Sequence, residues 1–300
     1  MNRALIILSI FLLQPSGYAA EFNWSYEFGN SKDSKCISAL KDERYKEAIS
    51  PCTADAKKSD AQAQYNLATL YFHGHGVKQD YKSSFVWLSK AAENEYVSAY
   101  NILGYQYEKG IGVDKDLRKA VYWFKKAAEN NDPDGQYNLG RCYDKAIGVE
   151  QDYSKAIYWY EKSVAQGDLY AMTNLGTIYY DGSGVPQDYQ KAHELFKRAA
   201  NGGFSLAQSN LGTTYLVGLG VKQNYNKAIK WYIKAGEQGD AVAQNNLGVI
   251  YANGKGVEKN AKKVACLLIF VHSQSEGDNI MPPVSILVDA APHMREVSSY

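Results

Sequence analysis

His73 and His75 flank Gly74, and two imidazoles this close can share a metal ion once a third ligand converges on them. No third ligand stands at a suitable spacing, and His193, His272 and His293 are single residues on separate stretches, so no metal site is expected. Glycine-rich stretches such as DGSGVPQD, residues 181–188, could cradle a phosphate. They lack the Lys and Ser/Thr that a phosphate-binding loop sets against it, and turn chemistry accounts for them. The serines show no nucleophile elbow, and Cys36, Cys52, Cys142 and Cys266 have no paired-histidine signature. The residue types point to no catalytic residue and no cofactor, and the chain reads as a non-enzyme.

The elements that carry these residues follow a strict period of 36. One column holds Leu67, Leu103, Leu139, Leu175, Leu211 and Leu247, and four places on stand Tyr71, Tyr107, Tyr143, Tyr179, Tyr215 and Tyr251. Gly76, Gly112, Gly148, Gly184, Gly220 and Gly256 are each followed by Val. Asp80, Asp116, Asp152, Asp188, Asn224 and Asn260 come next, then Trp87, Trp123, Trp159, Leu195, Trp231 and Leu267. Copies held in such register are the mark of a repeat protein rather than of one closed core. Hydrophobic residues make up 45% of the chain, enough to fold, and a formal charge of +1 gives no electrostatic case for nucleic acid or anionic lipid.

Each period encodes two helices. Ala171, Leu175 and Tyr179 stand four apart and line one helical face as core. Asp60, Asp132, Asp168 and Asp240 are placed as N-caps, with Pro133 at a first turn where its missing N–H does no harm. Gly74, Gly110, Gly182, Gly218 and Gly254 supply the left-handed residue that ends a helix, whereas Ala146 in the third copy predicts slight strain. Asp80 and its equivalents cap the second helix, where Ala120, Trp123 and Ala127 repeat the buried spacing. On that spacing the Tyr and Trp columns are core, not a stacking platform for bases. Gly104, Gly140, Gly176, Gly212 and Gly248 each cost about 1 kcal/mol of helix propensity, for which close approach of the partner helix would compensate; the first copy has Ala68.

The stretches AYNILGYQYEKGIGVDKDLRKAVYWFKKAAEN and AMTNLGTIYYDGSGVPQDYQKAHELFKRAANGG resemble the Sel-one-like repeat (SLR) family, relatives of the tetratricopeptide repeat. Ala68, Ala146, Leu195 and Leu267 depart from its pattern at single positions. The resemblance implies an all-α, right-handed superhelical α-solenoid of stacked antiparallel helix pairs, with first helices on the concave side.

The ends are read separately. Residues 1–19 have a basic start, an apolar run from Ala4 to Leu13 and small residues at Gly17 and Ala19, the pattern of a cleavable signal peptide, so a periplasmic or secreted protein without membrane insertion is expected. An N-terminal extension spans 20–32, a capping helix pair 33–59, six repeats 60–276 with the last degenerate, and a C-terminal capping segment 277–300. In an exported protein Cys36 and Cys52, on facing helices of the cap, are expected to form a disulfide, and Pro51 to bend the second cap helix. Cys142 and Cys266 are expected reduced and buried.

Function belongs to positions the core does not use. The residue before each Leu faces the groove if tetratricopeptide geometry holds: Asn66, Ile102, Asn138, Asn174, Asn210 and Asn246. An Asn row can grip the backbone amides of an extended peptide, with Tyr65, Tyr105, Tyr137, Tyr170 and Tyr180 as rigid contacts. Equally, each Asn can tie its helix to the next repeat. The leading expectation is a scaffold that binds another protein or peptide through this groove, as an envelope adaptor, regulator or host-contact factor. The alternatives are a β-lactam-binding or β-lactamase-type enzyme, weakened because the cysteine pairs of such relatives recur in every repeat, and a peptidoglycan or glycan binder using surface Tyr.

Overall fold

The computed structural model describes residues 24–27 and 34–258. The expected signal peptide, most of the 20–32 extension, the end of the last repeat with Cys266, and the 277–300 segment lie outside the described residues. Among the described residues the chain is all-α, with thirteen helices and no strand. It forms two compact units, whose described parts are residues 24–171 and 172–258.

The first unit opens with the cap, α1 (Lys35–Lys41) packed on α2 (Tyr45–Ala56), with Cys36 and Cys52 joined by a disulfide. Pro51 lies inside α2. Three helix pairs follow: α3 (Ala61–His73) with α4 (Tyr81–Glu93), α5 (Ser98–Lys109) with α6 (Leu117–Glu129), and α7 (Pro133–Asp144) with α8 (Tyr153–Ala165). Each pair leans on the one before, α2 on α3, α4 on α5 and α6 on α7, so burial is shared between neighbours in sequence. α9 (Leu169–Asp181) carries the boundary between the units. The second unit continues with α10 (Tyr189–Asn201), α11 (Ser205–Val217), α12 (Tyr225–Glu237) and α13 (Ala241–Asn253), each packed on the next.

The expected punctuation is present except at Asp132, which stands at the N-cap position of α7 without a side-chain cap bond. Asp60, Asp168 and Asp240 accept the N–H of Ala63, Ala171 and Ala243, and Asp80, Asp116, Asp152, Asp188 and Asn224 cap the second helices. Gly74 closes α3 at φ 71°. Ala146 is forced into the same left-handed region at φ 55°, and α7 stops short, at Asp144.

Packing of the second helices corrects the sequence reading by one residue. Trp87, Trp123, Trp159 and Trp231 are half-buried, while the next column, Leu88, Phe124, Tyr160, Phe196 and Tyr232, is fully buried. The rings of this column fill the space that glycine leaves: a Cβ on Gly104 would lie 2.5 Å from Phe124, and one on Gly140 2.8 Å from Tyr160. Four of the expected core tyrosines, Tyr71, Tyr107, Tyr143 and Tyr179, also stand at the rim, and Tyr107, Tyr143 and Tyr179 lie under the amino groups of Lys119, Lys155 and Lys191. A ring at the edge keeps its face for a cation and buries only its stem side.

Candidate functional site

Residues 24–27 of the extension lie across α3, and side chains of the first repeat hold them. Asn66, fully buried, accepts the Glu27 N–H at 2.9 Å and donates to the Glu27 carbonyl at 2.7 Å. An N–H and a C=O of one residue face the same way only when that residue is extended, so Asn66 pairs with it as a neighbouring strand would. Gln62 donates a second bond to the same carbonyl at 2.9 Å, and Tyr65 reaches the Ser25 carbonyl at 3.2 Å. His73 Nε2 meets the Trp24 carbonyl at 2.9 Å; a carbonyl can only accept, so this nitrogen carries the proton.

The side chains of the segment are also received. Trp24 is 4% exposed, tilted against Phe72 at 4.4 Å between centroids and bordered by Tyr65 and His73. Tyr26 stacks on Tyr45 of the cap at 5.5 Å, and its hydroxyl bonds His75 Nδ1 at 2.7 Å. Burial, with His73 close by, lowers the His75 pKa from its ordinary value, which favours the neutral ring. The Glu27 carboxylate accepts from the Tyr96 hydroxyl. Burial and that bond raise the Tyr96 phenol, and burial with nearby Glu27 and Asp132 raises that of Tyr65, so both remain neutral donors.

Further along the first helices the picture changes. Asn138, half-buried on α7, donates to Asn101 of α5 at 2.9 Å, and Arg141 reaches the Asn138 oxygen at 3.4 Å. Arg141 also forms a forked pair with Glu108, a buried carboxylate that Lys109 contacts at 3.1 Å. Burial alone would raise the Glu108 pKa, but these two cations hold it below its usual range. Tyr137 is half-buried between Tyr160 and Tyr170, and Tyr105 is half-buried with the Lys109 amino group 5.7 Å from its ring centre. In the second unit Asn174 is half-buried, Asn210 is buried, Asn246 bonds Tyr232, and Tyr180 is buried edge-on against Tyr189.

Two features escaped the sequence reading. The histidines, weighed only as metal ligands, instead bond the extension; among the described residues no group of three His, Cys, Asp or Glu could hold a metal ion. The second is a glutamine column: Gln64, Gln136, Gln208 and Gln244 each donate to a carbonyl of the preceding second helix, Ala56, Ala128, Ala200 and Gly236. The signals were there, as aromatic residues at 24 and 26 in a short aperiodic stretch and as Gln recurring with the period, but neither states its partner.

The fold defines the class: a solenoid of repeated antiparallel helix pairs. The chain belongs to the Sel1 repeat family, whose pattern matches residues 61–96, 97–132, 133–168, 169–204, 205–240 and 241–265. It is similar to a Sel1 repeat protein of Oxalobacter formigenes, at 30% identity and a TM-score of 0.73, over 79% of this chain and 94% of that one. It is also similar to a protective antigen of uropathogenic Escherichia coli with an SLR fold, at 27% identity and a TM-score of 0.63, over 80% of this chain and 62% of that one. No curated protein sequence matches. Sel1 repeats are scaffolds typical of protein–protein interaction, and this chain is one of them. No described helix is long and apolar enough to cross a membrane.

Proposed function

We propose that this chain is an exported scaffold that binds a partner protein through an extended segment laid on its first helices, acting as an envelope adaptor, regulator or host-contact factor. The observation that carries the reading is the pairing of Asn66 with both backbone groups of Glu27, because it shows a first-helix side chain gripping the backbone of an extended segment. The Cys36–Cys52 disulfide favours an oxidising compartment and so supports export.

A photo-crosslinking residue placed at Tyr105 or Tyr137 tests the face, with Tyr122 and Tyr158, both 53% exposed on second helices, as controls. In cells producing the full chain, a discrete partner adduct is expected from the first pair and not from the second. Adducts from the controls alone, or from none of the positions, would defeat the reading.

A further inference from the structure

We infer that the seat filled by Trp24–Glu27 is an exchangeable peptide site: it takes an extended segment of a partner protein with the pattern aromatic, any residue, aromatic, acidic, which displaces the chain's own copy. This deepens the reading above and rests on it for the use of the first-helix face.

The backbone of the segment is recognised by side chains. The carbonyls of Trp24, Ser25 and Glu27 and the N–H of Glu27 are bonded by His73, Tyr65, Gln62 and Asn66, an arrangement indifferent to what sequence supplies the backbone. Selectivity comes from three separate receivers: the aromatic wall against Trp24, the Tyr45 and His75 pair around Tyr26, and the Tyr96 hydroxyl for an acid at Glu27. Ser25 is exposed, so the second position is unconstrained.

Among the described residues the segment is held by side chains alone: no main-chain to main-chain hydrogen bond holds it, so its release breaks no helix. Its release costs the contacts of Trp24, which is buried in one cluster with Tyr65 and Ala68, so an incoming segment must supply an aromatic there; Leu67 and Leu70 of α3 are buried separately against α1 and α2. A short tether keeps an intramolecular ligand at an effective concentration of roughly millimolar, so a competitor sees only the open fraction of the site.

The test titrates a fluorescein-labelled synthetic peptide copying residues 22–29 into the full mature chain and into its Trp24→Ala/Glu27→Ala variant, by fluorescence polarisation. The vacated variant is expected to bind at least about tenfold more tightly than the parent. Adding Asn66→Ala should then weaken binding at least about fivefold. A peptide with both aromatics replaced by Ala should not bind. Hydrogen exchange on the unaltered chain supplies a readout that needs no variant: excess peptide should deprotect the protein's own amides at 24–27. No saturable binding by a variant of parental helicity, equal binding of the Ala peptide, or unchanged exchange would overturn the proposal. Crosslinking from Tyr105 and Tyr137 would be untouched by that failure, which separates it from failure of the wider reading.

Discussion

Burial sets what a polar residue can do here. Asn66 is fully buried, yet its carboxamide is satisfied because Glu27 supplies both partners. Asp168 is less well served: burial raises its carboxyl, the Ala171 N–H lowers it, nearby Asp134 raises it again, and the balance moves it from 3.8 to about 6. A folded-state value above the unfolded one means the native chain holds the proton more tightly. The stabilisation is therefore complete below pH 3.8 and is lost as pH rises through about 6. Asp168→Asn keeps the cap acceptor and has no charge to bury. At a pH of about 7.5 it should be more stable than the parent by on the order of 1 kcal/mol, a figure discounted for the solvent this site keeps. Thermal unfolding by circular dichroism checks this; a difference of the same size near pH 4 would show the gain has another source.

At the scale of the helix pair, the first and second repeats solve one packing problem in two ways. Gly104 faces Phe124, whereas the matching positions in the first repeat hold Ala68 and Leu88, both fully buried in one cluster. A methyl appears on one helix where the ring on the other is reduced to a branched chain. Gly104→Ala gains about 1 kcal/mol of helix propensity but drives a Cβ to 2.5 Å from the ring, an overpacking that costs about 1–3 kcal/mol. We expect net destabilisation from Gly104→Ala and from Phe124→Leu separately, and a favourable coupling of at least about 1 kcal/mol when they are combined. Urea unfolding of the four proteins measures it. Simple additivity would mean that the two positions do not share the space.

At the scale of the whole molecule, stability is assembled from neighbour to neighbour, so the ends matter more than in a single closed core. The cap does two jobs in the first unit: α1 and α2 bury one side of α3, and Tyr45 stacks on both Tyr26 and His75. Closing the loop between Cys36 and Cys52, sixteen residues apart, contributes about 3 kcal/mol in the chain-entropy view. Reduction should lower the melting temperature of the full chain, and hydrogen exchange should show protection falling first over α1, α2 and residues 24–27. Loss that begins uniformly along the repeats would contradict this coupling.

The sequence alone determined the period, the helix pairs, their caps and the strained stop at Ala146, because these are short-range facts written into spacing and residue type. It also paired Cys36 with Cys52. It misplaced the inner column of the second helices by one residue, since Trp123 and Phe124 are both apolar and only the approach of Gly104 selects Phe124. The seat of the extension was decided by tertiary structure. Glu27 meets Asn66 across 39 positions, and Tyr96 across 69, between a repeat and a stretch with no period of its own. Periodicity reports which residues share a helix face; which other piece of chain comes to lie on that face depends on where the folded backbone brings it.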